Sequence, residues 1–238
     1  MTDTLAIPKP LNICTISNVD WLTKHAERWL RYARSSNPSA QLHLILVGEP
    51  DAEGRTIADA FDVVKQYDKN CDNREFFNII RMSATTELEV PEILYCDLDS
   101  DILQSLAYVP EFCDKPLMWV RSPGVSEEWV QICKKEGWQN WGANNGLLYL
   151  RKDYKEPYLK WMAKLKADKV SPRLLGTYSF NAMIRELKDE NAELPYYTSV
   201  IFWDYRNLLD AKVVQFCNDK GQARRLSLEK TWKDAVPQ

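Results

Sequence analysis

Apolar and polar residues alternate along the chain in blocks that predict strands separated by helices. Two short apolar runs, LNICTISN at 11–18 and QLHLILVG at 41–48, end at turn residues, which is typical of buried parallel strands. Between them, the segment from Asp20 to Ser35 carries its large apolar side chains at helical spacing. The chain therefore opens with a predicted β-α-β unit.

The same alternation continues towards the C-terminus. FDVVKQY at 61–67 predicts a third strand, EFFNIIRMSATTEL at 75–88 a helix, and EILYC at 92–96 another strand. Further strands are predicted at PLMWVR (116–121), NNGLLYLR (144–151) and AKVVQFC (211–217), with helices at 154–168 and 178–190. Alternating strands and helices predict a doubly wound α/β fold. We expect one domain over residues 1–238, with a mixed, mostly parallel sheet flanked by helices.

Composition narrows the possible functions. The 238 residues include only eight glycines and contain neither a GxGxxG dinucleotide fingerprint nor a P-loop. The six cysteines are scattered without CxxC spacing, which argues against a zinc site or a disulfide framework. A net charge of −3 gives no global attraction to nucleic acid or acidic membranes. With no secretory signal and no long apolar run, we expect a cytoplasmic protein without a transmembrane segment.

Three acidic residues gather directly after a predicted strand, in the stretch ILYCDLDSDIL at 93–103. If the strand continues, Asp97, Asp99 and Asp101 point to the same side and repel one another unless a positive charge lies between them. Mg²⁺ and Mn²⁺ prefer carboxylate oxygens, and need few protein ligands where substrate phosphates complete the shell. Since ligands of α/β sheets bind at the carboxyl ends of strands, this cluster is a candidate metal site.

Two other interpretations of the cluster remain open. A strand end facing water can carry acidic residues with no role. The stretch CDLDSD also resembles the Asp-x-Asp-x-Thr signature of haloacid-dehalogenase-type phosphohydrolases, in which an aspartate is the nucleophile. That motif has Thr or Val where Asp101 stands, and it lies near the start of its domain, whereas here two β-α units precede it.

The wider context resembles another family more closely. The stretch FFNIIRMSATTELEVPEILYCDLDSDIL is similar to the core of nucleotide-sugar-dependent glycosyltransferases of the glycogenin and lipopolysaccharide-galactosyltransferase type. An aromatic pair, Arg81, Pro91, Tyr95 and the aspartates follow in that family's order. TISNVDWL (15–22) resembles its first nucleotide loop, NNGLLYL (144–150) its Asn-x-Gly strand, and VVQFCNDKG (213–221) its C-terminal segment. The resemblance spans about residues 11–221.

The resemblance implies an A-type glycosyltransferase fold and a metal-dependent reaction. A sugar would pass from a nucleotide-diphosphate sugar, with a UDP-sugar expected, to an acceptor hydroxyl with retention of configuration. The implied cofactor is Mn²⁺ or Mg²⁺, which would stabilise the charge of the leaving diphosphate. The nucleotide-binding part would cover about 11–103 and the acceptor-side part about 104–221, followed by a tail at 222–238.

The resemblance also implies site residues. Those expected to bind the nucleotide sugar are Thr15, Ser17, Asn18, Arg81, Asp97, Asn144, Asn145, Gly146 and Lys220. Those expected at the metal are Asp97, Asp99, Asp101 and Gln215. Asp99 and Asn181 have an expected catalytic role from the resemblance, and Asp204 is added as a catalytic candidate by its chemistry. Asp99 fits the family pattern in both possible registers of the aspartate block.

Two positions depart from the family. Gln215 stands where the family has a metal-binding His, and amide oxygen is a weaker, neutral ligand. Asn181 aligns with the last residue of the family's Asp-Gln-x-x-x-Asn helix start, but no Asp-Gln precedes it. Asp204 is therefore a candidate by its chemistry alone. These departures leave open a catalytically weak protein that binds a nucleotide sugar without transferring it.

The acceptor has two candidate classes. KGQARRLSLEKTWK at 220–233 contains five basic residues and one acid, so it could contact an anionic partner. One class is a glycan or lipid-linked sugar. The other is a modified base in DNA, which would need a basic groove and access to the exposed base.

Overall fold

The computed structural model describes residues 10–67, 74–201, 211–216, 221 and 223. The strands in these ranges are β1 (Asn12–Asn18), β2 (Gln41–Val47), β3 (Val63–Tyr67), β4 (Ile93–Cys96), β5 (Ser100–Ile102), β6 (Leu117–Arg121), β7 (Ala143–Leu150), β8 (Asn191–Leu194), β9 (Ser199–Ile201) and β10 (Val213–Gln215). The helices are α1 (Val19–Ser36), α2 (Ala52–Ala58), α3 (Arg74–Met82), α4 (Ala84–Glu87), α5 (Val109–Phe112), α6 (Glu127–Glu136), α7 (Lys155–Ala167) and α8 (Pro172–Glu186).

A seven-stranded sheet organises the molecule, in the order β3-β2-β1-β4-β7-β6-β8. Strands β3, β2, β1 and β4 are parallel to one another, and β6 is parallel to β8. Strand β7 is antiparallel to both its neighbours, β4 and β6. The prediction of a mixed, mostly parallel sheet flanked by helices is confirmed.

Both faces of this sheet are covered. In β4, Ile93 and Tyr95 belong to one apolar cluster, with α7 and α8, whereas Leu94 and Cys96 belong to the other, with α1. Strands buried on both faces have continuous apolar sequences, which is why LNICT and HLILV were recognisable as strands. No helix in the described part of the chain combines the length and apolar character that crossing a membrane requires.

A second, small sheet has the order β5-β10-β9 and lies where the acidic cluster ends. Strand β5 is antiparallel to β10 and pairs Asp101 with Val214. The strand predicted at 92–96 ends at Cys96 as expected, so the three aspartates do not line up along one continued strand. The chain leaves β4 at Cys96, turns through Leu98 and Asp99, and enters β5 at Ser100, so Asp97 and Asp101 lie on different elements.

The other predicted elements are present with shifted bounds. Helix α1 begins after Asn18, whose side chain accepts a hydrogen bond of 2.8 Å from the Trp21 amide and caps the helix. Helix α8 begins at Pro172 rather than 178, because proline suits the first helical position. The pattern missed α2, α5, α6, β5, β8 and β9; these three strands are only three or four residues long.

Candidate active site at the carboxyl ends of β1 and β4

A cleft of about 580 Å³ opens where the neighbouring parallel strands β1 and β4 end. This is the edge at which α/β sheets bind their ligands. Helices α1, α3 and α8 form the walls, and β7 and β10 contribute to the floor. The polar, charged and aromatic residues that line the cleft include Ser17, Asn18, Trp21, Arg74, Glu75, Asn78, Arg81, Tyr95, Asp97, Asp99, Asn145, Arg173, Thr177 and Gln215.

Asp97 lies at the floor of the cleft and is held by donors on both carboxylate oxygens. Its Oδ1 accepts hydrogen bonds from Arg81 at 3.0 Å and from the Tyr95 hydroxyl, and its Oδ2 accepts one from Gln215 at 2.7 Å. The Asp97 backbone amide donates to the carbonyl of Gly146 on β7 at 2.8 Å. Its side chain is therefore fixed by groups from α3, β4 and β10.

Arg81 is the positive charge at this floor, and its side chain is only 12% exposed. Besides Asp97, it donates to the Asn145 carbonyl at 2.9 Å and to the Tyr95 hydroxyl at 3.0 Å, and it lies over the Tyr95 ring. Burial by itself lowers the pKa of Arg81, but the Tyr95 and Asp97 oxygens outweigh it and hold the pKa above its ordinary value. Burial raises the pKa of Tyr95 well above its usual range, so its hydroxyl stays protonated and remains a donor.

A chain of hydrogen bonds fixes the orientation of the Gln215 amide. The backbone N–H of Gly146, which can only donate, binds Asn144 Oδ1 at 2.9 Å. Asn144 Nδ2 then donates to Gln215 Oε1 at 2.9 Å, and Gln215 Nε2 donates to Asp97. Gln215 thus presents N–H to Asp97, and its oxygen is turned towards Asn144. Metal binding by Gln215 therefore stays a prediction, and it would require the amide to turn its oxygen away from Asn144.

Gly146 makes room for this amide. A Cβ at position 146 would lie 2.4 Å from Gln215 Nε2, so no larger residue fits there without displacing Gln215. The structure therefore brings Asn144 and Gly146 to the site as supports of Gln215. Asn145 contributes its carbonyl to Arg81 and lines the cleft itself.

The three aspartates separate into two environments. Asp99 lines the cleft beside Asp97 and is 9% exposed, and its carbonyl accepts the Phe216 amide at 2.9 Å, which ties the turn to β10. Asp101 is fully buried and faces α1, where Arg28 binds it through Nε and Nη2 at 2.5–3.1 Å. Asp101 lies outside the cleft lining, so the structure does not bring it together with Asp97 and Asp99, and its role at a metal stays a prediction.

Other predicted residues are divided between the cleft and the interior. Ser17 and Asn18 line the cleft at the end of β1, but Thr15 is fully buried within the strand. Asn181 is also buried and binds the backbone of Ala143 and Thr177, so it joins α8 to β7 and does not reach the cleft. Asp204 and Lys220, like the tail at 222–238 apart from position 223, lie outside the described residues.

Several cleft residues were not predicted from the sequence. Trp21 belongs to the stretch TISNVDWL but was not named as a site residue; it is 37% exposed and lines the cleft. Arg74 and Asn78 precede Arg81 on α3, and their seven- and three-residue spacing from Arg81 could have signalled a shared face. Thr177 lies one helical turn before Asn181, at the position where the family pattern has its glutamine.

The donor atoms present fit a divalent cation held by few protein groups. Asp97 has about four lone-pair positions, of which three accept hydrogen bonds, so Oδ2 retains one for a metal. Asp99 supplies a second carboxylate on the same turn. Among the described residues, no cluster of three or more His, Cys, Asp or Glu side chains could hold a metal ion. A cation here would therefore rely on ligand oxygens from a bound substrate.

Comparison with known proteins relates this architecture to sugar-transferring enzymes. No protein-family model and no curated protein sequence matches the chain. Among solved structures, galactosyltransferase LgtC in complex with donor and acceptor sugar analogs superposes with a TM-score of 0.62 at 12% identity, over 88% of each chain. The glycosyltransferase GlyE of Streptococcus pneumoniae TIGR4 gives a TM-score of 0.60 at 13% identity, over 88% of this chain and 55% of that one. The bifunctional glycosyltransferase WbbM gives 0.58 at 9% identity, over 90% and 47%. The chain thus has the A-type fold of the LgtC-like glycosyltransferases.

Proposed function

We propose that this protein transfers a sugar from a nucleotide-diphosphate sugar to an acceptor hydroxyl. The observation that carries the proposal is the joint placement of Asp97, Asp99 and Arg81 in one cleft at the carboxyl ends of β1 and β4. Two carboxylates and a guanidinium suit a ligand that contains a diphosphate and sugar hydroxyls. The similarity in fold to LgtC, which binds donor and acceptor sugar analogs, supports this assignment.

The nucleoside would bind along the wall formed by the end of β1 and the start of α1. Ser17 and Asn18 offer polar groups there, and Trp21 offers an exposed aromatic face on which a base can stack. Trp21 is supported from behind by the His25 ring, whose centroid lies 4.2 Å away. A UDP-sugar is the donor we propose.

Asp97 and Asp99 are the residues that would hold Mn²⁺ or Mg²⁺. Such an ion supplies Lewis-acid stabilisation of the charge that grows on the leaving diphosphate. Arg81 cancels part of the negative charge of the aspartates, which lets an anionic donor enter the cleft. Tyr95 and Gln215 keep the Asp97 carboxylate in one orientation, so that it needs no rearrangement when the donor binds.

In the transfer, the acceptor oxygen bonds to the anomeric carbon as the bond from that carbon to the diphosphate oxygen breaks. The acceptor proton passes to the departing diphosphate. Inversion would instead require a general base beside the acceptor hydroxyl. Of the three carboxylates that line the described cleft, Glu75 is paired with Lys166, Asp97 is paired with Arg81, and Asp99 would hold the metal ion. We propose retention of configuration, which is what the resemblance to the lipopolysaccharide-galactosyltransferase type implies.

A donor screen tests the proposal directly. The protein is incubated with individual nucleotide sugars, with and without Mn²⁺, and the released nucleoside diphosphate is measured. We expect slow hydrolysis of one UDP-sugar, stimulated by Mn²⁺. Donor binding without release under any acceptor condition would instead establish a nucleotide-sugar-binding protein. Release of inorganic phosphate from phosphate monoesters would establish the phosphohydrolase alternative.

A further inference from the structure

Two exposed arginines, which we call the basic wall, line the cleft that also contains the aspartates. Arg74 is the first residue of α3 and Arg173 the second residue of α8, and both side chains are exposed and line the cleft. We propose that this basic wall, Arg74 and Arg173, binds a phosphate ester on the acceptor sugar. The inference rests on the proposed function, because it assigns a substrate class to the same cleft.

The basic wall carries positive charge that the described part of the protein does not neutralise. Neither the Arg74 nor the Arg173 guanidinium has an acidic partner among the described residues, whereas Arg81 is paired with Asp97. The one acid beside the wall, Glu75, is paired with Lys166 at 2.5 Å. Two arginines that face one cavity without counter-charges attract an anion, and their planar donor forks match the oxygens of a phosphate group.

The backbone adds to this potential. Helix α8 begins at the basic wall, so the positive end of its dipole faces that part of the cleft. Ser171, at the start of α8, makes no side-chain cap that would occupy the first-turn amides. The start of α8 therefore favours an anionic ligand, as the two guanidinium groups do.

The position of the wall separates it from the donor diphosphate. Arg74 and Arg81 are seven residues apart on α3, which places their backbones about 10 Å apart along the helix axis. Arg81 lies with Asp97 at the floor, where the diphosphate is expected, and Arg74 lies towards the rim. On α8, Thr177 follows Arg173 by one turn in the same direction, from rim to interior. This separation leaves space for the reacting sugars between two anionic groups.

The charge distribution favours a small phosphorylated acceptor over nucleic acid. The whole chain has a net charge of −3 and a pI of about 5.6, and Arg74 and Arg173 line a cleft rather than a long surface stripe. Proteins that bind nucleic acid through phosphates usually present an extended basic face. A phosphate ester on a single sugar needs only the two guanidinium groups.

Calorimetric titration of the whole protein tests the inference. Glucose, galactose and their 6-phosphates are titrated into protein saturated with UDP, and inorganic phosphate is titrated into protein without UDP. We expect one of the hexose phosphates to bind at least ten times more tightly than its free sugar. Arg74→Gln and Arg173→Gln should each weaken that binding about tenfold while changing the affinity for UDP less than twofold.

Arg55→Gln is the matched control, because Arg55 lies on α2 outside the cleft lining and donates only to the Pro50 carbonyl among the described residues. It should leave both affinities unchanged. Equal binding of sugars and sugar phosphates, or loss of UDP affinity in the two cleft variants, overturns the inference. Tight binding of single-stranded DNA with steep salt dependence, lost in both variants, overturns it in favour of nucleic acid. If phosphate binding depends on the wall but no UDP-sugar is ever cleaved, the proposed function fails and the anion site stands.

Discussion

The guanidinium of Arg81 binds the carboxylate of Asp97 at 3.0 Å, on the floor of the cleft and with both side chains largely shielded from water. This pair joins α3 to the end of β4, and the same guanidinium also holds the Asn145 carbonyl of β7. The contact therefore shapes the site and contributes to the packing of three elements.

Replacing Arg81 with Gln should reduce both activity and stability. The change removes three hydrogen bonds and leaves Asp97 without its charge partner, which costs about 3 kcal/mol in the free energy of unfolding. We expect kcat/KM for the donor to fall about 100-fold, because an uncompensated Asp97 repels the diphosphate. Urea denaturation and steady-state kinetics measure the two effects.

Arg34→Gln is the control for stability, since Arg34 pairs with Asp62 where both side chains are more than one-third exposed. An exposed pair is worth less than about 1 kcal/mol. If the Arg81 and Arg34 variants lose equal stability and both keep full activity, Arg81 has neither role assigned to it here.

Asp99 and Asp101 should give opposite phenotypes although they are two residues apart. Asp99→Ala changes a side chain that lines the cleft, so we expect loss of divalent-stimulated donor cleavage with an unchanged melting temperature. Asp101→Asn weakens the fully buried contact with Arg28 and should lower the free energy of unfolding by about 3 kcal/mol. At a temperature where it remains folded, the Asp101 variant should retain most of its activity. Equal activity losses in the two variants would contradict this division.

The apolar pattern predicted the main sheet because its strands are buried on both faces, as Ile93 to Cys96 illustrate. It could not predict the turn after Cys96. The turn depends on pairing of β5 with β10, more than 100 residues later in the chain, and on Arg28 reaching Asp101 across 73 positions. Local alternation placed the end of the strand at Cys96 but could not show that Asp101 lies on a second strand.

The candidate site likewise combines residues that are close in the sequence with contacts between distant segments. The sequence could name Asp97, Asp99 and Arg81 together because one compact motif contains all three, and all three line the cleft. It could not show the hydrogen bond from Gln215 to Asp97, since the orientation of Gln215 is set by Asn144, 71 positions away, and by the amide of Gly146. Thr177 and Arg173 lie on a helix with a weak apolar pattern, so nothing local indicated which of its residues face the cleft.

Gln215→His should strengthen metal binding. Gln215 offers a donor N–H to Asp97, whereas a neutral imidazole offers a nitrogen ligand close to the same carboxylate. We expect the variant to bind Mn²⁺ about ten times more tightly than the wild type in the presence of UDP, measured by electron paramagnetic resonance of free Mn²⁺. Gln215→Met, which has similar size and no donor group, is the control and should not gain affinity. A wild type that already binds Mn²⁺ as tightly as the His variant would contradict the donor role of Gln215.

The buried His43 on β2 should make the fold sensitive to mild acid. Burial lowers the pKa of His43 below its ordinary 6.5, although Asp62 opposes this shift. One ring nitrogen is hydrogen-bonded to Asn12 at 3.0 Å, and Nδ1 is buried without a hydrogen-bond partner among the described residues. A proton added to Nδ1 would therefore have no acceptor in the folded protein.

The sign of the effect follows from the lowered pKa. As the pH falls below about 6.5, the unfolded chain takes up a proton at His43 before the folded protein does, so the free energy of unfolding decreases, by at most about 1.4 kcal/mol per pH unit. His43→Gln keeps an N–H donor for Asn12 and cannot titrate. Urea denaturation between pH 7.5 and 5.0 should therefore show that the free energy of unfolding decreases more steeply with falling pH in the wild type than in this variant. This pH range lies above the pKa of Asp62, which is lowered from 3.8 chiefly by its hydrogen bond with Arg34. The Asp62 carboxylate therefore does not contribute to the pH dependence of stability in this experiment. Identical slopes in the two proteins would show that His43 takes up its proton equally well in the folded and unfolded states.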